Sequence, residues 1–273
     1  MEREKVDLSG APATMLATLY GRALHSRSAD PILRDPFAEE AVRRLDHDFG
    51  EVGLRRDDPL SIALRANVFD QLTAERIAEH PDVTVLHLGC GLDSRGQRLE
   101  LPPSVQWLDV DLPEVIELRR RICDEPAGHR AIAASATDPA LLEQVPADRR
   151  VLVVAEGLSM YLDPREGFDL LHRITERFPA GDLVFDVMSP LAVRLGGVLN
   201  SPVRAAGARL RWGIRDGAEL VNAVPRLSLD QELTYYDVPG LDRLRPAQRA
   251  MVHALGRVPG LRKIALILRM SFG

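Results

Sequence analysis

At 273 residues, with 45% apolar and 27% charged residues and a net charge of −5, the chain reads as one large α/β domain or a domain plus a lid. That charge excludes the basic footprint of a nucleic-acid binder, and no apolar run approaches the ~18 residues of a membrane span. The charged start Met1-Glu2-Arg3-Glu4-Lys5 lacks an apolar signal core, and Cys90 and Cys123 alone give neither a disulfide framework nor a four-ligand zinc site. A cytoplasmic protein without a metal is expected. Only Lys5 and Lys263 are lysines, so the other 33 basic residues are arginine. A phosphate-loop NTPase or a Schiff-base enzyme has no plausible lysine here.

Three helices are expected first, forming an N-terminal helical cover over residues 1–80. Met15, Leu16, Leu19, Ala23 and Leu24 recur at helical spacing between Ala11 and Ser26. Asp35 and Asp58 each precede a proline, Pro36 and Pro59, at the start of the next two helices, where aspartate caps and proline fits. From residue 81 strands and helices alternate to 273. Strands are expected at 83–88, 105–110, 131–134, 151–155 and 182–187, and helices from Pro113 and from Pro164. In the Pro113 helix Val115, Leu118 and Ile122 share a face, with Arg119, Arg120 and Arg121 placed largely off it. Residues 190–225 read as a lid insert, with Arg194, Arg204, Arg209, Arg211 and Arg215 partly on a solvated face. A strand within 226–236, a helix after Pro246 and a closing strand at 264–270 complete the chain. The fold class is therefore α/β, a doubly wound Rossmann-like sheet with an antiparallel strand near the C-terminus.

Val83 to Asp111 is the most informative stretch. A buried strand runs into Gly89-Cys90-Gly91, and Asp111 closes the next strand twenty residues after Gly91. Glycines let backbone approach a ligand that a Cβ would hold away, and the carboxylate is suited to both ribose hydroxyls, which points to an adenosine-containing cofactor. The three-glycine dinucleotide pattern is incomplete, because Ser94 stands where its third glycine belongs. A further acid, Glu156, follows the strand ending at Ala155. Each of these residues has a purely structural alternative. Asp111 would cap the Pro113 helix, and Glu156 would cap the next turn. Asp93 reads as a cap, His87 as a core residue, and Cys90 has no base beside it to make it a nucleophile.

Three ordered segments, Leu88-Gly89-Cys90-Gly91-Leu92-Asp93-Ser94-Arg95, Asp109-Val110-Asp111-Leu112-Pro113 and Ala155-Glu156-Gly157-Leu158-Ser159-Met160-Tyr161-Leu162, resemble the signatures of the leucine carboxyl methyltransferase family. The resemblance is nearest to its bacterial branch of polyketide carboxyl O-methyltransferases of the tetracenomycin type. It extends over the N-terminal helices, notably 18–35, and thins after Met188. It implies a class I methyltransferase fold binding S-adenosyl-L-methionine. Gly89 and Gly91 would then pass under the methionine portion and Asp111 would hold the ribose. Arg65 would grip the cofactor carboxylate, with a structural ion-pairing arginine as the alternative, and Glu156 would approach the amine. Arg22 aligns with a further basic position. Where the family carries an acid near the adenine this chain has Ser135, with Asp138 close by.

Tyr161 is the substrate-side candidate, either orienting an acceptor or packed with its hydroxyl satisfied locally. No histidine or carboxylate is marked as a general base, which favours an acceptor that is already ionised, a carboxylate with a reference pKa of about 4. The expected partner is a small-molecule acceptor, polyketide-like; the alternatives are a peptide C-terminal carboxylate, a hydroxyl, or a cofactor-binding homologue without turnover. An open polar lid would favour a peptide, and an apolar pocket a metabolite. No nucleic acid or membrane partner is expected, and the oligomeric state is not legible.

Overall fold

The computed structural model describes residues 3–273. A two-residue strand, β1 (Glu4–Lys5), precedes α1 (Thr14–Ser26), α2 (Pro36–Arg44), β2 (Leu45–Asp46) and α3 (Asp58–Glu79). The parallel pairing of β1 with β2 is too short to carry a sequence period and was not expected. Asp35 caps α2 by accepting from Ala38 N at 2.9 Å. Asp58 differs from its expected place: it is the first helical residue of α3, and its carboxylate accepts from Arg55 N at 2.7 Å.

The alternating region holds β3 (Val83–Leu88), α4 (Arg95–Arg98), β4 (Gln106–Asp111), α5 (Pro113–Ile122), β5 (His129–Ala133), β6 (Arg150–Ala155), α6 (Pro164–Arg177) and β7 (Gly181–Met188). Residues 190–225 contain three short helices, α7 (Pro190–Leu199), α8 (Ser201–Ala205) and α9 (Gly217–Ala223). The chain closes with β8 (Ser228–Thr234), α10 (Pro246–Gly256), α11 (Pro259–Arg262) and β9 (Ala265–Phe272). The six expected strand positions from 83 to 187 and at the C-terminus agree with the observed bounds to within two residues.

All seven long strands join one sheet in the order β5-β4-β3-β6-β7-β9-β8, with β9 antiparallel to both neighbours. Alternation along each strand divides the core. Val83, Val85, Trp107, Leu152 and Val154 meet Leu64, Val68, Phe69 and Leu72 of α3 on one face. Leu86, Leu108, Val151 and Val153 meet Leu170, Leu171 and Ile174 of α6 on the other, with Leu220 of α9. The amphipathic face of α1 packs with Ala38 and Ala41 of α2 against Leu92, Leu118 and Ile122.

The strand order reverses between β3 and β6, because β3 leads outward to β4 and β5 while β6 leads to β7. A crevice opens at the carboxyl ends of such strands. The N-terminal helices and α7–α8 stand over it.

Candidate functional site

A cavity of about 690 Å³ occupies this crevice. Its floor follows the strand tips in sheet order: Ser135 after β5, Asp111 ending β4, Gly89 and Gly91 after β3, then Glu156 after β6. Beyond Glu156 come Met188 of β7, Ala265 of β9, and Tyr235 just after β8. Met15 of α1, Ile62 and Arg65 of α3, and Ala192 and Leu195 of α7 line the walls. All seven residues singled out in the sequence, Arg65, Gly89, Gly91, Asp111, Ser135, Glu156 and Tyr161, therefore share one cavity.

The glycine turn needs its glycines. Gly89 and Gly91 have φ of +63° and +49°, which side-chain-bearing residues rarely adopt. A Cβ on Gly89 would also lie 3.1 Å from Leu158, and one on Gly91 3.1 Å from Met15. Asp111 accepts from Gly91 N and from Leu112 N, each at 2.7 Å. The carboxylate is thus aimed along the turn and keeps lone pairs for a ligand; it does not cap α5, whose N-cap is Leu112. Burial pushes its pKa up, and the two amides partly offset that. Ser135 Oγ lies 3.1 Å from Thr137 Oγ1 on the wall. Asp138 is taken by its own turn, accepting from Ala140 N at 2.9 Å, and does not line the cavity.

Beneath the floor lies a buried lattice of charge. Glu156 is bound by Arg65 at 2.9 Å and by Arg95 at 2.6 Å. Arg65 also reaches Asp186 at 3.1 Å, and Asp186 accepts from Gly157 N at 2.6 Å. Arg65 is therefore both a cavity residue and a structural ion-pairing one. Arg95 is fully buried and binds Asp70 and Asp93 as well, each at 2.7 Å. Arg98 bonds the same two aspartates. Burial alone would raise the pKa of Glu156, but the Arg65 and Arg95 charges bring it below the ordinary carboxylate range. Arg22 lines the cavity but spends its guanidinium on Asp35 at 2.9 Å and on Leu92 O at 2.8 Å.

A second knot ties the turn from below. Asp109 accepts from His87 Nδ1 and Arg119, both at 2.8 Å, and from Trp107 Nε1 at 2.9 Å. Arg119 then donates to Gly91 O at 3.1 Å and Asp93 O at 2.7 Å. Arg119 thus lies within the buried side of α5, contrary to its expected placement, because Asp109 neutralises it there. His87 is buried in β3 as expected and also reaches the cavity wall, with its Nδ1 committed to Asp109. Asp93 is not the expected cap, since the N-cap of α4 is Ser94; it accepts from Arg95 N at 3.0 Å and makes two arginine pairs. Cys90 is buried, and burial pushes its thiol pKa well up, so it is a poor nucleophile.

Tyr161 lies on the cavity wall near Thr14, and burial pushes its pKa up. Thr14 Oγ1 donates to Ala11 O at 2.7 Å. Tyr235, which the sequence reading did not single out, lies near Arg65 and also lines the cavity. Arg95 and Asp93 stand inside the first of the three segments, whereas Asp70, Asp186 and Tyr235 carried no spacing signal.

Residues 14–175 match the model of a family described as leucine carboxyl methyltransferase. The chain is 39% identical over 269 residues to the tetracenomycin polyketide synthesis O-methyltransferase TcmP of Streptomyces glaucescens, covering 98% of this chain and 99% of that protein. It is 35% identical over 254 residues to the S-adenosyl-L-methionine-dependent methyltransferase dpfgK of Gibberella zeae, with 85% of each covered. Among solved structures, a duf574 family protein of Streptomyces avermitilis shares the fold at a TM-score of 0.56 and 15% identity, over 97% of each chain.

Proposed function

The chain belongs to the leucine carboxyl methyltransferase family and is an S-adenosyl-L-methionine-dependent methyltransferase; from that premise we propose that it methylates the carboxylate of a small polyketide-like metabolite. The cradle suits the cofactor. Asp111 presents free lone pairs toward a ribose diol, and the glycine turn leaves bare backbone where a Cβ would collide with Leu158 or Met15. Arg65 and Glu156 offer opposite charges side by side, matching a methionine carboxylate and amine. Ser135 is the hydroxyl nearest the place for adenine, on the floor beside Asp111.

When bound, the cofactor supplies an activated methyl group for in-line displacement by a nucleophile. The protein's part is to seat that nucleophile at about 3 Å and to keep water out. The observation that carries the carboxylate reading is the pairing of the acids on the cavity wall with arginines or backbone amides. Glu156 and Asp93 are each held by two arginines, and Asp58 accepts from a backbone amide. Asp111 accepts from two amides and faces the place for the ribose; His87 is buried, with Nδ1 on Asp109 and Nε2 3.8 Å from Asp93. A hydroxyl acceptor would need one of these groups free to take its proton; a carboxylate needs none. The cavity lining includes Leu162, Met188, Ala192, Leu195, Val203 and Ala265 beside the polar Asn200 and Ser201, and this apolar share supports a metabolite over a polar peptide tail.

The test is mass spectrometry of products from isotopically labelled cofactor with matched aromatic acids, phenols and C-terminal peptides. Base-labile methyl esters from the acids are expected. Turnover of phenols with a steep rise between about pH 6 and 8 would mark a titrating base and overturn the carboxylate reading. Turnover of peptides alone would favour the other substrate class, and cofactor binding without any product would favour a silent homologue.

A further inference from the structure

We infer that the side-chain amide of Asn200 donates the hydrogen bond that orients the acceptor carboxylate; this rests on the carboxylate reading above. The backbone N–H of Asn200 donates to Gly196 O at 2.9 Å, and its carbonyl accepts from Arg204 N at 3.1 Å. Its side-chain Oδ1 accepts from Val203 N at 3.2 Å and so caps α8. An N–H donates to an oxygen, so this bond fixes Oδ1 on that side and turns Nδ2 away from it. Three of the four polar groups of the residue are thus committed within the lid. The fourth, Nδ2, has no partner among the described residues, and Asn200 lines the cavity.

The fold puts this donor where an acceptor needs it. A cofactor laid over Ser135, Asp111, the glycine turn and Glu156 occupies the tips of β5, β4, β3 and β6, and leaves those of β7, β9 and β8 to the acceptor. The helix α7 starts just beyond β7 and runs about 15 Å to Asn200, with Ala192 and Leu195 on the cavity lining along the way. There the lid rests on the N-terminal cover. A Cβ on Gly53 would lie 2.8 Å from Ser201 O, and Ala206 O accepts from Gly10 N at 2.9 Å. The cover in turn reaches the glycine turn, where Met15 of α1 stands against Gly91. The lid is therefore apolar toward β7 and offers a neutral donor on the side of the glycine turn. An aromatic acid fits this gradient, its ring along Met188, Ala192 and Leu195 and its carboxylate at Asn200, toward the methyl group.

A neutral amide suits the task. A carboxylate attacks through one oxygen, and the other is free to be held. A guanidinium there would draw the anion into a bidentate ion pair and blunt it. Arg22 and Arg65 on the same lining are engaged with Asp35 and with Glu156 and Asp186. An amide N–H aims the anion with a weaker pull on its electrons. Asn200 is thus assigned contact with the acceptor and no part in holding the cofactor.

The experiment compares Asn200→Asp and Asn200→Ser in the full chain. The acceptor probe is naphthoate, or another aromatic acid that the parent methylates, and the cofactor probe is S-adenosylhomocysteine. Aspartate and serine cap helices about as well as asparagine, so a merely structural Asn200 would leave both variants parent-like. With Asn200 on the acceptor, Asn200→Asp sets one carboxylate against another, and kcat/KM for the acid should fall about tenfold or more. Asn200→Ser is neutral but too short to reach, and should lose about threefold or more. In both, affinity for S-adenosylhomocysteine by calorimetry and the midpoint of thermal unfolding should match the parent. The serine variant carries the test if the aspartate variant does not fold. Parent-like turnover of acids by both variants overturns the proposal while leaving the carboxylate reading standing. A loss confined to Asn200→Asp does the same, since it would be repulsion without contact. An equal loss of cofactor affinity also overturns it, by moving Asn200 to the cofactor. If the parent protein methylates phenols and no acid, the carboxylate reading fails and this inference fails with it.

Discussion

The two ends of the cavity are built on opposite principles. The end over β5, β4, β3 and β6 rests on buried ion pairs: Arg95 alone holds Asp70, Asp93 and Glu156, and Arg119 ties Asp109 to the carbonyls of the glycine turn. The end over β7, β9 and β8 is walled by Met188, Ala192 and Leu195, and Leu195 is itself 40% exposed. Directional bonds hold one end to a single shape. Side chains of α7 enclose the other, and they can repack around different acceptors at little cost. The lesson is that a charged, ion-paired floor is held to one shape while an apolar wall is open to change.

The sharpest way to break this contrast is Arg95→Met. It takes one arginine from three buried carboxylates, leaving Asp70 and Asp93 to Arg98 and Glu156 to Arg65. Removing one partner of a buried ion pair costs about 3–5 kcal/mol. Urea denaturation should show that loss, and an unchanged midpoint would mean the lattice is not what holds the floor. Next, Asp111→Ala should weaken binding of S-adenosylhomocysteine by roughly 1.5–3 kcal/mol in a calorimetric titration. Stability near neutral pH should change little, because burial already disfavours the ionised Asp111. Retained affinity would remove Asp111 from the cofactor site.

Acid should attack the charged end first. Glu156, Asp93 and Asp109 are all held below their ordinary pKa values; burial opposes this, and the neighbouring arginines outweigh it. A carboxylate depressed in the fold contributes stability above its unfolded pKa and loses it as pH falls through the folded value. The contribution of these three groups should therefore be flat above about pH 5 and fall below about pH 4, by ~1.4 kcal/mol per pH unit for each proton taken up. Glu156→Gln should make that slope shallower by about one proton in denaturation curves run across the acid range. The smallest effect is expected at the other end: Leu195→Ala should alter stability by less than about 0.5 kcal/mol. It should shift the acceptor KM and leave cofactor affinity where it was. A matching shift in cofactor affinity would show that the two ends are coupled and the contrast false.

Much of the first end was legible in the linear chain. Gly89, Gly91, Asp111 and Glu156 each sit at a strand tip, and strand tips are readable because buried strands are short apolar runs ended by turn residues. What escaped was partnership. Arg119 looked solvated because its neighbours Arg120 and Arg121 are charged, yet helical spacing and Asp109 across the gap draw it inside. Arg65 carried two competing readings, and the fold bears out the ion-pairing one by placing it between Glu156 and Asp186, while also leaving it on the cavity wall. Tyr235 was invisible because nothing local distinguishes it from Tyr236 beside it. Only the pairing of β8 with β9 brings it to the shared edge.

The sequence by itself determined the strand positions, the glycine turn and the acid that faces it. These depend on hydrophobic period and on backbone preferences expressed within a few residues. Tertiary structure alone decided which arginines are buried, which carboxylates they neutralise and which tyrosines line the cavity. Charges and hydroxyls are assigned their roles by partners that stand far away in sequence and within 3 Å in space, as Arg65 and Glu156 do.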